Sequence, residues 1–197
     1  MIAAIILAAG ASERMGAPKA DLLYRGRTFL QATLEASAAS GLSPLCAVVD
    51  GSRRIVFSDN SLRSVVIIRN PHAATGPIGS AILGIHALVN HPVEAALFWH
   101  VDRPHVRVGT LQALADRFRA GGCAIVVPEL GGRRGHPIIL SREVFPEVLA
   151  NPADGMRAVV RAFPERVGVV EVQDPAVLED IDTPEDYEAL IRGEGLR

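Results

Sequence analysis

Lysine is almost missing from this chain: Lys19 is the only one, against nineteen arginines. An arginine bias of this kind is usually an effect of codon composition, so most of the arginines carry no message. The solitary lysine, however, stands inside a glycine-containing loop. Cysteine is nearly as scarce. Cys46 and Cys123 each lie within an apolar run, PLCAVV and GCAIVV, where a thiol behaves as a small buried hydrophobe rather than half of a disulfide or a metal pair. Unpaired thiols fit a cytoplasmic protein. An excess of one charge is also absent. A net charge of −2 gives no basis for a reader of nucleic acid or a binder of membrane surfaces.

Long hydrophobic runs are lacking too. The opening MIAAIILAAGAS superficially resembles a secretory signal but has no basic start. Its apolar part is far too short to cross a bilayer, and it reads better as a buried strand. There is no internal repeat, low-complexity tract or linker, and His72, His86, His91, His100 and His105 show no metal-ligand spacing. With 197 residues, 49% of them hydrophobic, the chain fits one domain spanning 1–197 with a substantial core.

What is present is a regular alternation. Apolar runs of strand length recur at 2–8, 45–50, 64–69, 95–101, 123–128 and 167–172. Most are continuous rather than alternating, as expected of strands covered by helices on both faces. Between them lie segments of helical period at 28–40, 79–90 and 108–120, then shorter ones at 143–150 and 155–163, and a last at 184–192. This predicts an α/β fold, a three-layer α/β/α sandwich around a Rossmann-like, mainly parallel sheet. Ligands of such sheets gather at the carboxyl ends of the strands, and three stretches of the sequence fall there.

The first is LAAGASERMGAPK, residues 7–19. It fits neither the Walker loop, which needs Lys-Ser/Thr directly after its second glycine, nor the dinucleotide fingerprint GxGxxG. The physical logic of a phosphate loop still applies. Gly10 and Gly16 allow close backbone approach, free N–H groups form an anion nest, and Arg14 and Lys19 add positive charge. The second, NPHAATGPIGSAILGI at 70–85, leaves a strand and enters a helix; alone it is equally a loop with a helix cap. The third, ALFWHVDRP, puts Asp102 at the end of an apolar strand, where a carboxylate can hold Mg²⁺ or merely cap a helix. Far downstream, EDIDTPEDYEAL makes a helix start from Thr183, Pro184 and Asp186. Capping leaves Asp180 and Asp182 unexplained.

The pattern LAAG-x-S-x-R-M-G-x-P-K closely resembles the signature loop of the MobA-like nucleotidyltransferases, which activate the molybdenum cofactor and related phosphorylated metabolites. The resemblance implies the nucleotide-diphospho-sugar-transferase type of α/β sandwich. It implies that Arg14 and Lys19 stabilise charge around the α-phosphate and the departing pyrophosphate. Leu7, Ala8, Ala9, Gly10, Ser12 and Gly16 would then line the nucleotide, with Asn70, Gly76, Gly79 and Ser80 near base and ribose. Asp102 joins Arg14 and Lys19 in the catalytic set and shares Mg²⁺ with Asp182, matching the family's D-x-P and D-x-D-T-P-x-D-Y elements. LAAG resembles the cytidylyltransferases, whereas guanylyltransferases typically show LAGG, so Ala9 tilts the base towards CTP.

Gly-His-Pro at 135–137, followed by a short strand, and Asp154-Gly155-Met156-Arg157 resemble the cytidylyltransferase elements that face the acceptor. The implied acceptor contacts are His136, Asp154 and Arg157, although His136 also reads as a surface histidine in a glycine turn. Met156 stands where the family commonly has Ala, and His100 and Arg103 depart from its usual residues. The implied reaction moves a nucleotidyl group, CMP from CTP, to a phosphorylated acceptor, the molybdenum cofactor foremost, with Mg²⁺ as cofactor and release of pyrophosphate. It leaves room for a molybdoenzyme or chaperone partner. Three alternatives stay open: a related transferase using GTP or another NTP on a sugar or alcohol phosphate, a catalytically silent nucleotide-binding protein, and a glycosyltransferase using Asp180 and Asp182 for its metal.

Overall fold

The computed structural model describes residues 1–10, 12–52, 55, 62, 64–72, 76–150 and 155–194. Strand β1 (Ile2–Ala8) is followed by a hairpin, β2 (Leu23–Tyr24) and β3 (Arg27–Thr28), and then by helix α1 (Phe29–Ala39). Next come β4 (Leu45–Asp50), β5 (Val66–Asn70), α2 (Gly76–Ala87), β6 (Ala95–His100) and α3 (Val108–Arg119). The second half holds β7 (Ile125–Leu130), β8 (Arg133–Arg134), β9 (Ile138–Ser141), α4 (Phe145–Ala150), α5 (Gly155–Ala162), β10 (Val167–Glu171) and α6 (Pro184–Arg192).

The main sheet runs β10-β7-β9-β6-β1-β4-β5, with β8 paired to β7. Pairs β1–β4, β1–β6, β4–β5 and β7–β10 are parallel, while β9 runs antiparallel to both β6 and β7. The expected mainly parallel sheet is therefore present, with two reversed strands, β9 inserted beside β6 and the short β8 paired to β7. The central strands β1, β4 and β6 are almost wholly apolar because both of their faces are covered. Along β1, Ile2, Ala4, Ile6 and Ala8 enter one core with Phe29, Leu30 and Leu34 of α1 and Leu111 and Leu114 of α3. Ala3, Ile5 and Leu7 enter the other, with Ala81 and Ile85 of α2 and Val148 of α4. Helix and sheet approach so closely at α2 that a Cβ on Gly84 would lie 2.5 Å from Cγ2 of Ile5. Both cysteines are free, Cys46 fully buried and Cys123 partly so.

Sheet order fixes where a ligand sits. From β1 the chain moves outward to β4 and β5, then returns to place β6 on the other flank of β1. The loops leaving β1 and β6 therefore diverge, and a crevice opens between them at the carboxyl ends. Among the described residues no helix is long and apolar enough to cross a membrane.

Candidate active site

The loop after β1 is organised by Ser12. Its backbone has φ 53, in the left-handed region that costs most residues energy. Its hydroxyl donates to the Gly10 carbonyl (3.4 Å) and accepts from the Lys19 amide (3.1 Å). Its carbonyl accepts from the amides of Met15 and Gly16, both at 3.1 Å. Gly16, at φ 71, makes the return turn that a side chain would strain. Met15 and Ala20 are buried in the core beneath. Thus two apolar anchors and one serine hold the loop over the strand end, with Arg14 and Lys19 projecting from it.

Asp102 lies two residues beyond the end of β6, and Asp182 precedes α6. Their neighbourhood is built into the backbone: the amide of Ile181 donates to the Asp102 carbonyl at 3.0 Å. Arg103, only 7% exposed, ties the same two segments together. Its Nε donates to Asp180 Oδ1 at 2.7 Å and its Nη1 donates to the Val177 carbonyl. Asp180 is thereby spent on a structural ion pair. Asp186 is spent as well, because its carboxylate accepts from the amides of Asp182 (3.1 Å) and Thr183 (2.8 Å) in a capping box. Asp182 is left facing the crevice. Helix α6 is held by Tyr187, whose ring meets Phe29 edge-on at 5.9 Å and whose hydroxyl donates to the Leu23 carbonyl at 2.9 Å.

Four charged groups meet here. The Lys19 ammonium donates to Asp102 Oδ2 at 3.1 Å and to Asp182 Oδ1, and Arg14 Nη2 donates to Asp182 Oδ2 at 2.6 Å. Burial pulls the Lys19 pKa down, but the charges of Asp102 and Asp182 outweigh it and leave the ammonium above its usual value. For Asp182, partial burial pushes upward while Lys19 and then Arg14 pull harder, so the carboxyl lies below its usual range. Asp102 Oδ1 is buried without a hydrogen-bond partner. A buried carboxylate oxygen without a donor is costly. Two hard oxygen donors beside a cavity suit Mg²⁺ or Mn²⁺ completed by phosphate oxygens and water. Among the described residues no group of three or more His, Cys, Asp or Glu side chains forms a metal cage, so the two aspartates would hold the ion only together with such outside oxygens.

Around this quartet are two adjoining cavities. The first, of about 480 Å³, is walled by Leu7, Ala8, Ala9, Gly10 and Ser12, by Gly76, Pro77 and Ser80 of α2, and by Arg14, Lys19, Asp102 and Asp182. The second, of about 460 Å³, shares Arg14, Pro77, His100, Asp102 and Asp182 and extends to His136, Met156 and Arg157. Both sizes are typical of small-molecule sites. Asn70 and Gly79 do not line the first cavity. The Asn70 amide donates to Ser80 Oγ at 3.1 Å and its oxygen accepts from the His72 amide at 2.8 Å, so Asn70 orients Ser80 from behind. Gly16 likewise shapes the loop without forming the wall. Asp154 lies outside the described residues.

His136 is partly buried, and among the described residues its Nδ1 has no hydrogen-bond partner. Its ring stands perpendicular to that of His100 at 5.2 Å. Burial, then the neighbouring His100, Arg103 and Arg157, pull the His136 pKa down to about 3. Burial also lowers that of His100, with Asp102 opposing. Residue type alone does not single out His100 as a site residue. The signal was its place, two residues before Asp102 at the end of β6.

A parallel sheet with a switch-point crevice, a cation-bearing glycine loop and a facing pair of carboxylates together define a nucleotide-handling α/β enzyme. Residues 4–167 match the MobA-like NTP transferase domain, and the chain belongs to that family of nucleotidyltransferases. Among curated proteins it is 29% identical to nicotine blue oxidoreductase of Paenarthrobacter nicotinovorans, covering 96% of each chain. It is 26% identical to molybdenum cofactor cytidylyltransferase of Escherichia coli, covering 93% of this chain and 92% of that one. Among solved structures, Rv0371c of Mycobacterium tuberculosis superposes with TM-score 0.79 at 27% identity, covering 97% of both chains. The structure of that protein in complex with manganese gives TM-score 0.69 at 25% identity, again covering 97% of both.

Proposed function

We propose that this nucleotidyltransferase transfers CMP from CTP to a phosphorylated small molecule, the molybdenum cofactor foremost, with Mg²⁺ as its metal. The observation that carries the reading is the meeting of Lys19 and Arg14 with Asp102 and Asp182 between two cavities, one against the loop and one against His136 and Arg157. The nucleotide lies in the first and the acceptor in the second, so the reacting groups converge on the shared wall.

An acceptor phosphate oxygen forms a bond to the α-phosphorus, the α–β phosphoanhydride bond breaks, and pyrophosphate leaves with that electron pair. The acceptor needs no strong base, since the second pKa of a phosphate monoester is about 6. Catalysis is then alignment and charge neutralisation. Lys19 and Arg14 turn from the carboxylates to the triphosphate, where their charge meets that building up on pyrophosphate. Asp102 and Asp182 would hold the divalent ion, which supplies further neutralisation of the phosphate oxygens. Ala8, Ala9 and Gly10, whose small side chains leave the main chain open, line the nucleotide. His100 and His136, neutral at physiological pH by the direction of their shifts, offer a wall without added charge to the acceptor.

The test is pyrophosphate release with Mg²⁺ and each of CTP, GTP, ATP and UTP, with and without molybdenum cofactor. Release with CTP plus the cofactor alone is the expected result, and Asp102→Ala should abolish it. Full activity in that variant would overturn the assignment of Asp102. Release with GTP, or with a sugar or alcohol phosphate, would move the protein within its family. The relative named nicotine blue oxidoreductase motivates one further arm, nicotine blue with a reduced nicotinamide dinucleotide as hydride donor. The loop's departure from the dinucleotide fingerprint argues against turnover there.

A further inference from the structure

Beyond the acceptor cavity lies a third compartment, of about 440 Å³, which shares Arg103, His136, Met156, Arg157 and Asp180 with it. Its charge differs from that of the reaction site. At the reaction site cations and carboxylates are matched, Lys19 and Arg14 against Asp102 and Asp182. The third compartment is walled by five arginines, Arg103, Arg133, Arg134, Arg157 and Arg161, and by one carboxylate, Asp180. That carboxylate is already paired with Arg103 at 2.7 Å. Arg134 reaches Glu129 only at 4.0 Å. Among the described residues no carboxylate lies within ion-pair distance of Arg133, Arg157 or Arg161.

Three guanidinium groups from β8 and α5 thus line one concave space with no ion-pair partner among the described residues, in a chain whose net charge is −2. Like charges held together repel, and nothing in the core requires them there, since Arg133, Arg157 and Arg161 are all exposed residues. A planar guanidinium suits bidentate capture of an oxyanion. We propose that this compartment binds a second anionic group of the acceptor. The acceptor class is then a small molecule with two anionic ends: a phosphate presented towards Asp102 and Asp182, and a phosphate or carboxylate held by Arg133, Arg157 and Arg161. The assignment to the acceptor rests on the transferase reading above; the anion site itself does not.

Calorimetric titration of the full chain with inorganic phosphate, and separately with succinate, tests it with and without saturating CTP and Mg²⁺. The expected result is binding of at least one of them that persists when CTP is bound. The double variant Arg133→Ser/Arg161→Ser should weaken that binding by about tenfold or more, the size of one lost charge-assisted contact, while CTP binding is unchanged. Arg133→Lys/Arg161→Lys should retain part of it, and an unfolding transition like that of the parent excludes a folding defect. The tighter of the two probes names the anionic group. Binding that vanishes when CTP is present would place the anion in the nucleotide loop and overturn the proposal. So would equal affinity in the double serine variant, or no binding of either anion. Failure of CTP itself to bind would instead remove the transferase reading and leave the anion comparison between parent and variant intact.

Discussion

The Lys19 ammonium lies 3.1 Å from Oδ2 of Asp102 and bonds Oδ1 of Asp182 on its other side. One cation thus bridges the two carboxylates proposed for the metal. On that proposal metal and lysine would compete for the same oxygens until a triphosphate drew the lysine away. Lys19→Met should raise the affinity for Mn²⁺ in the absence of nucleotide, by about tenfold for one relieved charge contact, as read by electron paramagnetic resonance of free Mn²⁺. The same variant should lower turnover by about 10²–10³-fold, as for loss of one preorganised charge-stabilising donor. Unchanged Mn²⁺ affinity would show that the bridge does not screen the site.

Asp182 links the site to acid stability. Lys19 and Arg14 hold its carboxyl below the ordinary value of 3.8. Its contribution to stability is complete above that value and is lost as pH falls through the lower folded value. Asp182→Asn should therefore flatten the fall in stability below about pH 4, measured by urea unfolding at stepped pH. A variant as acid-sensitive as the parent would contradict the ion pairing.

His136 works over a higher window. Its folded pKa is drawn down to about 3 from 6.5, so the unfolded chain takes up a proton in this range while the folded chain does not. Stability should decline as pH drops from 6.5 towards 3 and then level off at the lower value once both states are protonated. His136→Gln should remove that share of the slope in the same urea series, with no change above pH 7.

Ser12 is predicted to act through the loop it ties together. Ser12→Ala loses both side-chain bonds and keeps a β-carbon at φ 53; Ser12→Gly loses the bonds but relieves the backbone. Both should weaken CTP binding by about tenfold, with alanine the worse, since each loses hydrogen bonds of roughly 1 kcal/mol and only glycine relieves the left-handed strain. Fluorescence titration of a CTP analogue separates the two.

Gly84→Ala should destabilise the fold by about 1–3 kcal/mol, the usual effect of overpacking. The added Cβ would lie 2.5 Å from Ile5 Cγ2. A midpoint in urea unchanged from that of the parent would show that α2 can slide away from β1 freely.

The sequence reveals the parts of this fold that obey local rules. Continuous apolar runs placed β1 and β4 at the residues where they occur, and the Thr183 capping box placed α6. Helix α2 begins at Gly76 instead of 79 because Gly76 and Pro77 supply its first turn. The β2–β3 hairpin escaped the reading, for it is two residues to a side and turns on Arg25 (φ 51) and Gly26 (φ 76) without any apolar alternation. The reversal of β9 was equally hidden, since strand direction depends on a connection and not on composition. At the site, residue type suggested a phosphate loop, and the nearness of Asp102 and Asp182 to its cations is what the family resemblance implied. The division of labour was not legible: that Asp180 pairs with Arg103, and that Asn70 stands behind Ser80, is settled only by tertiary contact.

Lys19 and Asp182 are 163 residues apart along the chain, and the Ile181–Asp102 backbone bond spans nearly half that distance. A ribosome therefore completes the phosphate loop long before the opposing carboxylate exists. Any growing or clipped chain that stops short of α6 has the loop's two cations but lacks one half of the acidic pair. On the proposed assignment of Asp182, chemistry would then wait for α6 to dock.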